Sequence, residues 1–528
     1  MRRIEVIGGG PAGLFAARLL KQRCPAAAVR VSERTVPDGT FGFGVAFTQR
    51  TLRVVRDCDR PVFDAIVAAS VIMPGQEMRV GGRSVRATAP TGGIAIARSQ
   101  LLAVLLAAAR DAGVEVDLGC ERGLADVAGA DLVVAADGAR SAIRTAWAGH
   151  FGPCVEPGRG MFMWLGCDTR LDSNLFAPVF TEHGMFNIHA YPYAEDRSTI
   201  GVEADLATWR RAGMDVMTEQ TPAAESDETS IAYLQQAFGP VLGGARLLGN
   251  RSRWMHFPVV TTRRWHHGNV VLVGDAAHTA HYSVGSGTKM ALEDAIVLAE
   301  RITQTAGADG SLAGALAGYE ALRRPRVEAL QVTALRSQWW WESLATRVEL
   351  PPARLMLAYL SRAGVVQAAR LRDREPQLLA EGLTAYAGTA PAPADLDDVT
   401  GWVLSRPFAG RGLSAASRMW SSAADGRAGR AGVATVDGDV SDPWGAAADE
   451  LVARCQRLAG QGVRVVRLAG DGSREALVDR AAVGERIVNE THLVVVAVGH
   501  DGQADDLADA LIARRAHLVE ITREGVSA

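Results

Sequence analysis

Along the first 150 residues, short continuous apolar runs alternate with longer Ala/Leu-rich segments. Ile4–Ile7, Ala28–Ser32 and Leu132–Ala136 read as buried strands, and Gly13–Arg23 and Ser99–Ala112 as helices. That βαβ rhythm predicts a parallel sheet. From about residue 160 to 257 the texture changes. Met161–Leu165, Met185–Ala190 and Ser198–Val202 carry aromatic and β-branched residues with turn residues between them, which predicts a mainly β insertion. Residues 268–305 return to strand-then-helix, and 313–375 are helical, rich in Ala, Leu and Arg. A Pro/Ala stretch, Thr389–Ala394, reads as a linker. Beyond it lie four further strand candidates, Val433–Val436, Val463–Leu468, Leu493–Val498 and His517–Ile521, with helical segments separating the last three. The expected organisation is therefore α/β. A sheet-and-helix domain is built from 1–158 and 258–310, with a β domain at 159–257, a helical region at 311–388 and a small α/β domain at 395–528.

Composition narrows the function. The 528 residues suit two to four domains, and 48% apolar with 22% charged residues suits a globular enzyme. A net charge of −3 argues against nucleic acid or a membrane surface as the main partner. Of 56 basic residues only Lys21 and Lys289 are lysines, so any lysine-dependent mechanism has two candidates. Only four mostly apolar residues precede Gly8, too few for a signal peptide, and the longest apolar run, Leu101–Ala109, is about half of a ~20-residue membrane span. The six cysteines are scattered with no CxxC, which argues against a disulfide scaffold or structural zinc. A cytoplasmic protein without a metal site is expected.

Three motifs carry the chemistry. Gly8-Gly9-Gly10-Pro11-Ala12-Gly13 follows a strand and opens a helix, with Glu33 at the end of the next strand. Its glycines allow a tight turn, close approach to a pyrophosphate and helix–strand packing, while Glu33 can accept from a ribose hydroxyl. Second, the strand Leu132–Ala136 runs into Asp137-Gly138, then Arg140, Ser141 and Arg144. Third, Val270-Val-Leu-Val-Gly274-Asp275-Ala-Ala-His278 ends a strand, and Gly285-Ser286-Gly287 opens a helix. A carboxylate at such a strand end can bind polyol hydroxyls, and the glycines leave the helix N-terminus facing an electron-rich group. Taken singly, each also fits an ordinary strand-end turn.

In this order and spacing the three resemble the fingerprints of single-component (group A) FAD-dependent aromatic hydroxylases, over residues 1–375. Gly268–Ala299, with His281-Tyr282-Ser283-Val284-Gly285-Ser286-Gly287-Thr288-Lys289, is more narrowly similar to the salicylyl-CoA 5-hydroxylase and anthraniloyl-CoA monooxygenase branch, relatives of the tryptophan-derivative hydroxylases of violacein synthesis. Phe41–Phe47 and Leu371-Arg372-Asp373 look like that branch too. The resemblance implies a Rossmann-like FAD domain of glutathione-reductase type with an inserted β substrate domain. It implies that Gly8, Gly10, Pro11, Ala12, Gly13, Glu33 and Arg34 hold the ADP part of FAD. Arg98 would face the diphosphate or flavin, and Asp137 and Gly138 would lie near the pyrophosphate or serve both FAD and NAD(P)H. Asp275 would bind the ribityl chain. Gly285, Gly287 and Thr288 would lie by the isoalloxazine, with Gly44 and Val45 on its mobile side.

Many such hydroxylases carry proline a few residues after GDAAH; here the stretch is His281-Tyr282. These two are candidates for substrate positioning or a proton relay, although His281 equally fits a satisfied core histidine. In the β insertion, His189 and Tyr191 lie two apart on one strand face, and Glu203 is placed similarly; packing is the competing reading. Trp339-Trp340-Trp341 reads as core or interface. The resemblance implies that NAD(P)H, a transient co-substrate, reduces FAD, that O2 adds at flavin C4a, and that the hydroperoxide hydroxylates an activated aromatic or heteroaromatic ring. The substrate is either an aryl-CoA or a phenolic or pyridinol intermediate of secondary metabolism. An FAD-dependent oxidase or dehydrogenase, or a flavin-binding protein without turnover, remains an alternative. A flavin halogenase would need a catalytic lysine and a W-x-W-x-I-P stretch; neither lysine fits and the stretch is absent.

Pro407–Arg418 resembles the opening of an Old Yellow Enzyme barrel, and Arg486–Glu490 through Leu518 its end. A barrel needs about 250 residues. About 120 suggest a truncated remnant without a complete FMN site, serving packing or self-association into a homo-oligomer through this or the helical region; a thioredoxin-like appendage fits the length as well.

Overall fold

The computed structural model describes residues 1–36, 42–87, 93–306, 310–388, 391–393, 395–421 and 432–523. The chain divides into two compact units, one of residues 1–77 and 90–338 and the other of residues 78–89 and 339–528. Among the described residues no helix is long and apolar enough to cross a membrane, and no cluster of His, Cys, Asp and Glu could hold a metal.

In the first unit a six-stranded sheet runs in the order His266–His267, Val270–Leu272, Leu132–Ala135, Arg3–Ile7, Ala28–Glu33, Glu115–Leu118. All neighbours are parallel except the first pair. The apolar runs of the sequence become its strands because their side chains are buried: Ile4, Val6, Val31, Leu132, Val134, Val271 and Leu272 are shut off from solvent. Helix Pro11–Arg23 starts with proline in its first turn, where the missing N–H costs nothing, and buries Pro11 through Leu20. It packs on helix Gly287–Ala306. The dinucleotide turn needs its glycines for space. Gly8 has φ +108°, and a Cβ there would lie 2.2 Å from the Ala136 carbonyl oxygen. A Cβ on Gly13 would lie 2.0 Å from the Gly8 oxygen.

The β insertion of this unit is an antiparallel sheet in the order Leu247–Leu248, Met161–Cys167, Arg197–Ala204, Gly184–Ala194, Asn174–Thr181. Alternate residues separate its two faces. Met161, Met163, Leu165, Phe186, Ile188, Ile200 and Val202 are buried with Trp209, Met214, Leu234 and Phe238. The latter come from helices Leu206–Arg211, Met214–Gln220 and Glu228–Leu242, so the insertion is less purely β than its sequence texture suggests. The other face carries Phe162, Glu203, Asn187, His189 and Phe176.

The second unit holds a parallel sheet whose strands follow sequence order: Val433–Asp437, Val465–Ala469, Val494–His500, Leu518–Thr522. Helices Ala446–Gly460, Arg474–Glu490 and Ala504–Ile512 connect them. A hairpin, Phe408–Gly410 with Leu413–Ala415, precedes the sheet, and Phe408 and Trp420 fill a core with Val465, Val494, Val496 and Leu518. Arg411 donates to the carbonyls of Val488, Thr491 and Leu493. Trp420 N–H donates to the Val519 carbonyl and Val519 N–H to that of Arg418, so this segment lies along the last strand's outer edge.

The helical region expected at 311–388 is not a unit of its own. The division falls at Gln338 inside helix Leu312–Glu342, and helices Pro352–Leu360 and Pro376–Ala387 belong with the C-terminal sheet. The cause is packing: Trp340 and Trp341 are buried, with ring centroids 5.6 and 5.3 Å from that of Tyr359. Trp340 and Trp341 thus lie in a core of the second unit.

Candidate active site

The ends of three strands of the parallel sheet build one side of the site. At the first, the Glu33 carboxylate accepts from Gly9 N–H at 2.6 Å and Thr35 N–H at 2.7 Å, which fixes it beside the glycine turn. Arg34 next to it is exposed, 4.0 Å from Glu121. At the second, Asp137 Oδ2 accepts from Ile143 N–H at 3.2 Å, while Oδ1 is buried with no hydrogen-bond partner among the described residues. At the third stands Asp275. Solvent reaches its side chain, yet enough protein surrounds it for burial to raise its carboxyl, with His278 and Arg98 opposing.

Arg144 ties two of these turns together. It donates to the carbonyls of Ala139 at 2.6 Å and Ala276 at 2.9 Å, and burial pulls its guanidinium down. Beneath the third turn lies Asp294, fully buried. It accepts from Gly274 N–H at 2.9 Å, meets His278 Nε2 at 2.8 Å and pairs with Arg323 at 2.7 Å. Arg98 heads helix Arg98–Asp111; its backbone N–H donates to the Phe43 carbonyl, and burial lowers its guanidinium against the pull of Asp275. Gly44 and Val45 begin a strand paired with Ala97 and Ile96. Phe41, part of the same sequence signature, lies outside the described residues.

These groups fit FAD. A Cβ added at Gly10, Gly138, Gly285 or Gly287 would meet nothing within 4 Å, so the glycine turn, the Asp137 turn and the loop that opens helix Gly287–Ala306 border open space. The orphaned Asp137 Oδ1 awaits a donor there. Gly287 and Thr288 open helix Gly287–Ala306, whose first turn offers free N–H groups.

The other side of the site comes from the antiparallel sheet and the loop after GDAAH. Phe162 pairs with Glu203, Glu203 with Asn187, and Phe176 with His189, so five side chains share one face. Onto it fall His281 and Tyr282. The Tyr282 hydroxyl donates to Glu203 Oε1, and its ring lies 4.2 Å from that of Phe162 between centroids. Glu203 Oε2 is 3.3 Å from His189 Nε2, and Oε1 is 4.0 Å from His281 Nε2. Asn187 Nδ2 is 2.8 Å from the same His189 nitrogen. His281 Nδ1 reaches Ser283 Oγ at 2.8 Å, which meets Ser337 Oγ at 2.7 Å. Burial works against the Glu203 charge, but His189, His281 and Tyr282 outweigh it and hold the carboxyl below its ordinary range.

Three of the four candidate catalytic residues, His189, His281 and Tyr282, therefore converge. Tyr191 does not join them: its hydroxyl donates to the Gly44 carbonyl at 2.9 Å, and burial pushes it up. It holds the Gly44 segment to the sheet. Glu203, on the same sheet face, is the centre of the cluster. The available signal was period-two alternation, which puts a lone carboxylate on the face of His189 among aromatic residues. Asp294 and Arg323 gave no such signal, since a buried ion pair between two helices has no local pattern.

Residues 2–334 match the family described as "FAD binding domain", and the chain belongs to it. It is 41% identical to salicyloyl-CoA 5-hydroxylase of Streptomyces sp over 364 residues, 68% of this chain and 70% of that one. It is 39% identical to 3-hydroxy-4-methyl-anthranilyl-[aryl-carrier protein] 5-monooxygenase of Streptosporangium sibiricum, over 69% of this chain and 95% of the relative. The fold is shared with 2-methyl-3-hydroxypyridine-5-carboxylic acid oxygenase (TM-score 0.51, 24% identity, 69% of this chain and 96% of that one). The protein is a flavin-dependent aromatic monooxygenase.

Proposed function

We propose that this monooxygenase uses NAD(P)H and O2 to hydroxylate a ring that carries a hydroxyl or amino group, bound between the glycine-bordered groove and the Glu203 cluster. The observation that carries this reading is the convergence of His281 and Tyr282, from the loop that follows the Asp275 turn, on Glu203 and His189 from the sheet. Bound FAD supplies electron storage and oxygen activation. The chain's own residues do the rest. Phe162, Phe176 and Phe257, whose rings lie against Tyr282, His189 and His281 respectively, give an apolar wall that keeps water from the ring and orients it. Glu203 holds Tyr282, and the two histidines stand where a ring O–H or N–H can hand on its proton, which makes the ring electron-rich. Gly8, Gly10, Gly13 and Glu33 would hold the ADP portion, Asp137 the diphosphate region and Asp275 the ribityl hydroxyls.

By their names, the two similar enzymes act on a CoA-linked and a carrier-protein-linked aromatic acid, which supports an aryl thioester over a free phenol or pyridinol. In the second unit, four parallel strands in sequence order match consecutive units of a (β/α)8 barrel. This supports the barrel-remnant reading over a thioredoxin-like appendage, whose sheet is mixed. We assign that unit no FMN site.

The test is a visible spectrum of the purified protein, then NADH and NADPH oxidation with peroxide monitored. Salicylate, salicyloyl-CoA, anthraniloyl-CoA and hydroxypyridines form the panel. Stimulated oxidation with little peroxide and a hydroxylated product is the expected result. A flavin spectrum with no stimulation by any ring would overturn the assigned reaction.

A further inference from the structure

Glu203 is a largely buried carboxylate that no permanent cation pairs with among the described residues. Its side chain is 12% exposed, and its ion-pair partners among the described residues are histidines, with no arginine or lysine. Tyr282 satisfies Oε1 with a neutral hydroxyl. Oε2 is buried and accepts no hydrogen bond among the described residues, although His189 Nε2 stands 3.3 Å away. The aromatic rings of Phe162, Phe176 and Phe257 line the same cluster: Phe162 lies against Tyr282, Phe176 against His189, and Phe257 against His281. Such walls lower the local dielectric and lengthen the reach of the carboxylate.

We propose that Glu203 is a specificity-determining residue that selects neutral, donor-bearing rings: the substrate carries a free hydroxyl or amino group, and its carboxyl is masked as an ester, thioester or amide. The free donor reaches the unpartnered Oε2, where a hydrogen bond to a charged acceptor is stronger than one to a neutral group. A free ring carboxylate meets a like charge that no arginine or lysine pairs with among the described residues. At separations of about 6 Å and an effective dielectric near 20, that repulsion weakens binding by roughly 10- to 100-fold. The proposal rests on the reading that the aromatic ring occupies this cluster. It adds the part of the substrate on which the pocket discriminates, and the residue that does so.

The test uses the FAD-loaded enzyme and matched pairs that differ only in charge: salicylamide against salicylate, and anthranilamide against anthranilate. Dissociation constants are read from the perturbation of the flavin spectrum, and hydroxylated product is followed separately. The wild type is expected to bind each amide roughly 10- to 100-fold more tightly than its acid. Glu203→Gln should bring that ratio to within a few-fold, whereas Glu203→Asp should keep it. A structural role alone would weaken both members alike and leave the ratio unmoved. Equal binding of acid and amide by the wild type overturns the proposal, and so does an unchanged ratio in Glu203→Gln. The wild-type ratio decides even if Glu203→Gln fails to retain FAD. A preserved ratio without any hydroxylated product overturns the assigned reaction while leaving charge selection standing. Binding of no member of either pair removes the aromatic-pocket reading and this proposal with it.

Discussion

His278 Nε2 and Asp294 Oδ2 lie 2.8 Å apart with both side chains shut off from solvent, and the same carboxylate caps Gly274 N–H and pairs with Arg323. The turn that presents Asp275 is thus held from below by a charge network, not by its own backbone alone. Asp294→Ala leaves Arg323, only 2% exposed, without its closest counter-charge. A loss of about 3–5 kcal/mol in stability is expected, together with loss of FAD retention. Thermal unfolding and the bound-flavin absorbance check both.

The same network sets an acid limit. Burial opposes the Asp294 charge, but His278 and Arg323 outweigh it and hold the carboxyl below its ordinary value. A carboxyl depressed in the folded state contributes stability that is fully present above its unfolded value, about 4. That contribution is lost as pH falls further, through the folded value. Unfolding midpoints measured from neutral pH downward should show the wild type losing stability below pH ~4, with a shallower slope in Asp294→Asn.

Gly10 and Gly13 should fail in different ways. A side chain on Gly13 collides with the Gly8 carbonyl, so Gly13→Ala is expected to destabilise the apoprotein itself. Gly10 faces open space, so Gly10→Ala should melt like the wild type when stripped of FAD and still bind the cofactor poorly. Melting of the apoprotein beside FAD titration separates the two.

Tyr282 and Tyr191 make a second contrast. Tyr282→Phe removes the donor to Glu203 and should lower kcat/KM about 10- to 100-fold. Tyr191→Phe removes only the bond to the Gly44 carbonyl, costing about 1 kcal/mol of stability and leaving kcat/KM within about threefold. Steady-state kinetics on both variants decides whether the hydroxyls divide this way.

In the second unit, Arg347 and Glu485 form a buried pair 2.6 Å apart. Glu485→Ala should destabilise that unit by about 3–5 kcal/mol while the bound-flavin spectrum persists. Thermal unfolding followed at the flavin band and by far-ultraviolet circular dichroism would show two separated transitions.

The sequence makes the parallel sheet legible because a strand covered on both faces is mostly apolar, as at Leu132–Ala135 and at Ile4–Ile7, where the one charged residue, Glu5, is buried and paired with Arg3. The glycine turn is legible for a steric reason, since only glycine fits beside Ala136 and Gly8. The four C-terminal strands fall within two residues of their expected positions. Less was visible where long-range packing decides. The boundary at Gln338 lies inside a continuous helix, and nothing local marks it. Tyr191 shares the parity of His189, yet its partner is a backbone carbonyl 147 positions away. Glu203 is marked in the sequence only by its strand parity, and its partners Tyr282 and His281 come from one loop, Tyr282 lying 79 positions away.

The antiparallel sheet writes two messages on alternate letters of the same strands. In Arg197–Ala204, Ile200 and Val202 serve the core, and Glu203 serves the His189–His281–Tyr282 cluster on the opposite face. Heritable change at one parity can therefore redraw that cluster while the core stays intact. A one-residue insertion or deletion within a strand exchanges the messages and costs both. Substitution, not changes in strand length, is the route by which this scaffold acquires new substrates.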